Sequence, residues 1–308
     1  MVINATGPWV NQVHSIASGE HYGVSGRVLR LVQGSHIVVP KLFDHGGCYI
    51  LQNGDGRIVF AIPYEQEFTL IGTTDTEYRG DPGAALITDG EVDYLCSTVN
   101  EYFARKVSPA DLVWAFSRVR PLFDDGSVKA QEATRDYVLQ LDRGDDHASP
   151  PLLNIFGGKI TTYRRLAEAV LNKVGAAIGT KGEAWTSRSP LPGGNFAVNG
   201  IDEQIDALLA LYPFLPRSDA ECLIARYGTD ARTILGAARS LKELGKYFGA
   251  GLTEAEVRHL RRREWAITAE DVLWRRTKLG LRLSVAEVEA LERFLCFNAL
   301  DGHIRTVT

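Results

Sequence analysis

The sequence predicts an α+β fold, an antiparallel-sheet domain followed by an all-α C-terminal domain. Three observations carry this. Short β-branched and aromatic runs separated by hairpin signals fill the stretch from Val28 to Tyr137. An apolar run at 151–156 ends abruptly at Gly157-Gly158, and a helical pattern follows it. From Glu203 to Leu300 the apolar residues recur almost throughout at helical spacing.

In chain order, Met1 leads straight into an apolar strand fragment at Val2–Ala5, closed by Thr6-Gly7-Pro8, so the chain is expected to begin inside a fold. Strands are expected at Ser35–Pro40, Cys48–Gln52, Arg57–Ile62 and Phe68–Gly72, with turns at Gly46-Gly47, 53–56 and 64–67. One or two helices between Thr88 and Lys106 interrupt them, and Trp114–Ser117 and Asp136–Gln140 read as further strands. A polar loop at 142–151 precedes the Pro151–Phe156 strand. The helix after the paired glycines starts near Lys159 and carries Leu166, Val170 and Val174 on one face. Residues 180–199, with Pro190-Leu-Pro-Gly-Gly194, read as a linker. In the helical region, the segments starting at Ser218, Thr253 and Ser284 resemble capping boxes, each with Glu three residues on.

A chain of 308 residues allows two or three domains with proper cores. A net charge of -4 argues against nucleic acid as a partner. The four cysteines form no CxxC and read as reduced thiols of a cytosolic protein. No apolar run is long enough to cross a bilayer, and the N-terminus lacks the pattern of a signal peptide. No Ser/His/Asp arrangement, HExxH motif or P-loop is present, and no metal site is expected.

The chemistry concentrates at the paired glycines. A strand, a Gly turn and a helix start turn backbone N–H groups toward an electron-rich ligand. Gly157 and Gly158 allow close approach, and Lys159 adds a positive charge. Two further cations lie upstream. Arg120 stands at an expected strand end before Pro121, and Arg135 opens the next strand. Each could bind a phosphate or carboxylate, or simply pair with Asp124, Asp125 or Asp136. His36 reads as a general base or as a structural strand residue. The Gly72-Thr73-Thr74-Asp75 segment reads as hydroxyl donors for a ligand or as a satisfied turn. The basic run Arg258–Arg263 reads as a solvated helix face, with an anionic membrane surface as the sharper alternative.

Seven segments then appear together in order: Asn4-Ala-Thr-Gly-Pro-Trp9, Gly34-Ser-His-Ile-Val-Val-Pro40, Ile71-Gly-Thr-Thr-Asp75, Val119-Arg-Pro-Leu122, Thr134-Arg-Asp-Tyr137, the Gly-Gly-Lys run Phe156–Arg164, and Asp271–Lys278. The set resembles the FAD-dependent, aerobic, quinone-linked glycerol-3-phosphate dehydrogenases. The resemblance implies a remnant of a Rossmann-like FAD domain at 1–27 and 148–182. It further implies a β-rich substrate-binding domain at 28–147 and a helical domain at 200–308. It places FAD against Ala5, Thr6, Gly7, Ser35, His36, Gly157, Gly158, Lys159, Ile160 and Thr161. Arg120, Arg135 and Lys159 would hold the substrate phosphate, and His36, Arg120 and Lys159 would act in catalysis, with His36 as base. The implied reaction oxidises glycerol 3-phosphate to dihydroxyacetone phosphate by hydride transfer to FAD and passes electrons to quinone.

Implied partners and location are glycerol 3-phosphate, quinone, a peripheral contact at the inner membrane from the cytoplasm, and self-association through exposed strands at 2–5 and 152–156. The other readings are an oxidase using oxygen and a non-catalytic helical interaction module. Two departures stand out. The family's G-x-G-x-x-G turn has no match here, because Gly249-Ala-Gly251 lacks the third glycine. The chain is therefore expected to lack the upstream half of the FAD domain, to hold FAD weakly or not at all, and to be inactive alone. Arg118 also stands where a small residue is usual.

Overall fold

The structure, a computed structural model, describes residues 1–18, 29–124, 136–142, 150–179 and 182–298. The chain divides into two units, residues 1–187 and 188–308, each taken by itself.

The first unit runs β1 (Val2–Asn4), α1 (Val10–Ser18), β2 (Leu29–Pro40), β3 (Tyr49–Gln52), β4 (Ile58–Tyr64), β5 (Phe68–Gly72), β6 (Thr76–Glu77), α2 (Asp89–Tyr102), β7 (Trp114–Phe123), β8 (Val138–Asp142), β9 (Leu152–Phe156) and α3 (Tyr163–Ile178). The strands β2 to β7 form one antiparallel sheet organised on β2, which pairs with β5 and β6 along one edge and with β7 along the other. Asn53 and Gly56 close the β3–β4 hairpin, with Gly56 at φ 82°. Glu65 and Gln66 close β4–β5 with positive φ and no glycine.

Register decides which side chains share a face. On one face, Ile37 and Val39 of β2 and Ile71 of β5 pack with Val92, Leu95, Cys96 and Val99 of α2. The alternate residues Gly34, His36 and Val38 therefore lie on the other face, beside Phe116, Arg118 and Arg120 of β7 and Gly72 of β5. A Thr88–Glu91 capping box, not noticed in the sequence, starts α2.

A second, three-stranded sheet has β9 in its middle, parallel to β1 and antiparallel to β8. This corrects the expectation of two unpaired strands, since β9 is paired on both sides and Leu152, Leu153, Asn154 and Phe156 are buried. β7 is also longer than expected. Arg120 lies inside it, because Pro121 needs no ladder donor on an edge strand that pairs only with β2.

The second unit holds α4 (Ile201–Leu211), α5 (Arg217–Tyr227), α6 (Ala231–Leu235), β10 (Tyr247–Gly249), β11 (Leu252–Thr253), α7 (Glu254–Arg263), a π-helical stretch at Asp271–Arg276 and α8 (Val285–Asn298). Leu208, Ala220, Ala231, Leu252, Val257, Leu260, Val272 and Leu291 are fully buried at its centre. The helical character is as expected. The small β10–β11 ribbon is an addition, made possible by positive φ at Gly249, Ala250 and Gly251. Glu287 accepts from the Ser284 N–H at 2.8 Å, as a capping box requires, whereas Ser218 lies inside α5, whose N-cap is Pro216. In the basic run, Arg258 pairs with Glu254 at 2.7 Å. No described helix is long and apolar enough to cross a membrane.

Candidate active site

The face of the large sheet opposite α2 gathers an imidazole, a fork of positive charge and two glycines. His36 stacks on Phe116, with ring centroids 5.0 Å apart and planes 7° from parallel. Its Nδ1 is buried and has no hydrogen-bond partner. Burial, and secondarily the Arg120 guanidinium, pull its pKa from 6.5 down to about 4. The imidazole is therefore neutral at neutral pH.

That shift has a consequence for stability. The unfolded chain binds the His36 proton below pH 6.5, while the folded chain does so only near pH 4. Stability is therefore full above 6.5 and falls as the pH drops toward 4. Relative to His36→Gln, the unsubstituted protein is expected to lose about 2–3 kcal/mol across this window. Urea unfolding at several pH values checks it, and parallel curves for the two proteins would refute it.

Arg120 reaches across the same face. It forms an ion pair with Asp75, and its Nη2 donates to Thr73 Oγ1 at 2.9 Å. Its acidic partner is thus none of the three nearby acids considered in the sequence. Gly34 provides the space, since a Cβ there would run into the guanidinium. Arg118 extends from the same strand, 5.9 Å above the Phe116 ring.

The paired glycines follow β9 and pass close to β7. Gly157 and Gly158 have φ of 70° and 100°. A Cβ on Gly157 would lie 2.9 Å from the Asp136 carbonyl oxygen and 3.7 Å from that of Pro121, the residue after Arg120. Only glycine fits that passage. Lys159 follows, exposed, with its Nζ 3.7 Å from Asp136 Oδ1. Ile160 and Thr161 belong to the 3-10 turn Ile160–Thr162 that leads into α3, and Ile160 is 86% exposed.

The Ala5-Thr6-Gly7 turn is anchored from below. Thr6 Oγ1 donates to Asn4 Oδ1 at 2.6 Å, and Gly7 has φ 58°. Asn4 Nδ2 donates to Val10 O and to Asn154 Oδ1, both at 2.8 Å, and Asn154 bonds the His14 ring at 2.9 Å. All three side chains are buried. This polar rung ties the start of the chain to the strand that ends at Gly157, and the Gly7–Trp9 turn packs beside β7.

The structure thus brings His36 of β2 and Arg120 of β7 onto one face, and the turn after β9 passes close to β7 at Gly157, beside the Pro121 carbonyl. Ser35 alternates to the other face, where its Oγ meets Glu91 at 2.8 Å and Ser117 at 2.7 Å. Arg135 lies outside the described residues. Sequence reasoning missed Asp75 and Thr73 as Arg120 partners, Phe116 as the His36 platform, Glu91, and the Asn4–Asn154–His14 rung. One signal was available: a glycine lies in each of two strands, Gly72 opposite His36 and Gly34 opposite Arg118 in register.

Residues 1–164 match the model of the FAD dependent oxidoreductase family, and the chain belongs to that family. Residues 184–297 match the C-terminal domain of alpha-glycerophosphate oxidase. The chain is 44% identical over 296 residues to a glycerol-3-phosphate dehydrogenase of Pseudomonas aeruginosa, covering 96% of this chain and 56% of the relative. It is 43% identical over 287 residues to a D-erythritol 1-phosphate dehydrogenase of Brucella abortus, covering 93% and 56%. Among solved structures it resembles the glycerol-3-phosphate dehydrogenase from Bacillus halodurans complexed with FAD. The TM-score is 0.76 at 25% identity, over 96% of this chain and 57% of that one. The chain therefore spans a little over half the length of these relatives.

Proposed function

We propose that this chain carries the substrate-side half of a flavoprotein that oxidises glycerol 3-phosphate to dihydroxyacetone phosphate. The observation that carries the reading is a neutral, buried imidazole on β2 beside an arginine fork on β7, with Gly157 of the Gly-Gly-Lys turn passing close to Pro121 of that second strand. Arg120 and Lys159 supply positive charge for a phosphate dianion. His36 takes the proton from the C2 hydroxyl on its neutral ring. Arg135 is assigned to the same phosphate by resemblance alone.

The residues fit FAD. The His36 Nδ1 has no protein partner among the described residues, and two left-handed glycines precede a helix start without a side-chain cap, where backbone N–H groups and Lys159 favour negative charge. FAD, when bound, accepts the hydride from C2. The Ala5–Gly7 and Gly157–Thr161 turns are the residues that would hold it, and the Asn4–Asn154–His14 rung keeps those turns together. The electron acceptor assigned by resemblance is quinone, which would be met at a peripheral contact with the inner membrane.

Expressed as these 308 residues, the protein is expected to keep little flavin, because the pyrophosphate turn G-x-G-x-x-G is absent from the sequence. A stable visible flavin band in the purified chain would contradict this. Co-expression with the remaining, pyrophosphate-binding part of a relative of the same family is expected to restore flavin and glycerol 3-phosphate turnover. No turnover under those conditions favours the helical interaction module instead. The 43% identity to an erythritol-phosphate enzyme supports a second reading, a longer polyol phosphate at the same site. Comparing kcat/KM for the two substrates decides between them, and peroxide yield against quinone-analogue reduction decides the acceptor.

A further inference from the structure

We propose that Glu91 is a positioning residue for this site, acting from behind the sheet to fix the Thr73–Asp75 turn that aims Arg120. The proposal rests on the role assigned to Arg120 above. The Glu91 carboxylate accepts hydrogen bonds from five donors. Oε1 receives Thr74 Oγ1 at 2.6 Å and Ser35 Oγ at 2.8 Å. Oε2 receives Gln33 Nε2 at 3.0 Å, the Thr88 N–H at 3.0 Å and Thr88 Oγ1 at 3.1 Å. The capping box accounts only for the two from Thr88. The other three come from β2 and from the turn after β5, and α2 needs none of them to start.

Those three donors have something in common. Each is the chain neighbour of a front-face residue. Ser35 precedes His36, Gln33 precedes Gly34, and Thr74 lies between the two Arg120 partners, Thr73 and Asp75. The clamp is closed by further bonds, Ser35 N–H to Thr74 Oγ1 at 2.9 Å and the Ser117 hydroxyl to Ser35 Oγ at 2.7 Å, the latter beside Phe116 on β7. Because side chains alternate along a strand, the acid never enters the site. It sets where the turn sits, and the turn sets where the guanidinium points. Burial works to raise the Glu91 pKa, but the hydrogen bonds from Thr74, Thr88 and Ser35 outweigh it and hold the group below its ordinary value. The carboxylate thus stays charged and acceptor-only at neutral pH.

Two variants test the idea. Glu91→Gln removes the charge, and Thr74→Val removes the turn's donor while leaving the Thr88–Glu91 box intact. In 15N NMR spectra of the 308-residue chain, both are expected to move the Arg120 Nε–H and the Thr73 and Asp75 amide signals. Thr74→Val should leave those of Leu95–Val99 in place. In the flavin-loaded enzyme formed by co-expression, each is expected to raise KM for glycerol 3-phosphate about 10-fold with a smaller change in kcat, and to add little in an Arg120→Ala background. Unmoved Arg120 signals, or effects that add fully to Arg120→Ala, overturn the proposal. If Glu91→Gln does not fold, Thr74→Val alone decides. If the unsubstituted enzyme fails to turn over glycerol 3-phosphate, the parent reading falls, and the spectra still decide the clamp.

Discussion

Arg120→Ala is expected to lower kcat/KM for glycerol 3-phosphate by about 10²–10⁴-fold. A charge-assisted hydrogen bond contributes roughly 1.5–3 kcal/mol, and a guanidinium offers two to a phosphate, so the loss is roughly 3–6 kcal/mol. A second effect runs in the same direction. Without the arginine, the negative charge of Asp75 is no longer offset by Arg120 beside the position proposed for the phosphate. Arg120→Lys keeps the charge but loses the planar fork, so it should recover only part of the loss. Steady-state kinetics on flavin-loaded protein measure both variants, with a thermal midpoint taken alongside to separate folding from binding. A loss under about 5-fold in Arg120→Ala would remove Arg120 from the phosphate role.

Much of this arrangement is legible in the chain, and the parts that are not have a physical reason. The strands β3 to β5 follow from period-two runs bounded by turn residues, and the Gly157-Gly158-Lys159 turn follows from an apolar run ending at two glycines. Both are local signals. The extent of β7 was not readable, because Pro121 reads as a stop unless the strand is known to be an edge. The Arg120 partner was not readable either. Asp75 is 45 residues away in sequence, while three acids closer to it offered themselves as alternatives. The same holds for the rung that joins Asn4 to Asn154, whose strands pair across 150 residues. The unusually long β2 could have given more. It places Gly34, His36 and Val38 on one face and Gln33, Ser35 and Ile37 on the other, so its period of two already separates a front from a back that carries two polar residues beside an apolar one. Glu91 acquires meaning only once α2 is known to cover that back.

The two front-face glycines allow a sharper test of the site, because the same substitution should behave differently at each. Neither has a positive φ, so alanine brings a contact without the penalty of a left-handed backbone. At Gly72 the new Cβ would lie 2.7 Å from His36 Cγ and 2.9 Å from Nε2, with Cδ2 nearer still. That ring cannot yield, since its other side rests on Phe116. Gly72→Ala is therefore expected to cost about 1–3 kcal/mol of stability through overpacking, to displace the imidazole, and to remove most turnover. At Gly34 the new Cβ would meet the Arg120 guanidinium, the mobile end of a long side chain, together with Thr73 Oγ1 at 2.7 Å. Gly34→Ala should thus cost little stability, within about 0.5–1 kcal/mol, while raising KM by moving the fork. Denaturant unfolding and the His36 ring proton signals separate the two outcomes. Equal stability losses at both positions, or an unmoved His36 signal in Gly72→Ala, would show that His36 is not wedged between Gly72 and Phe116.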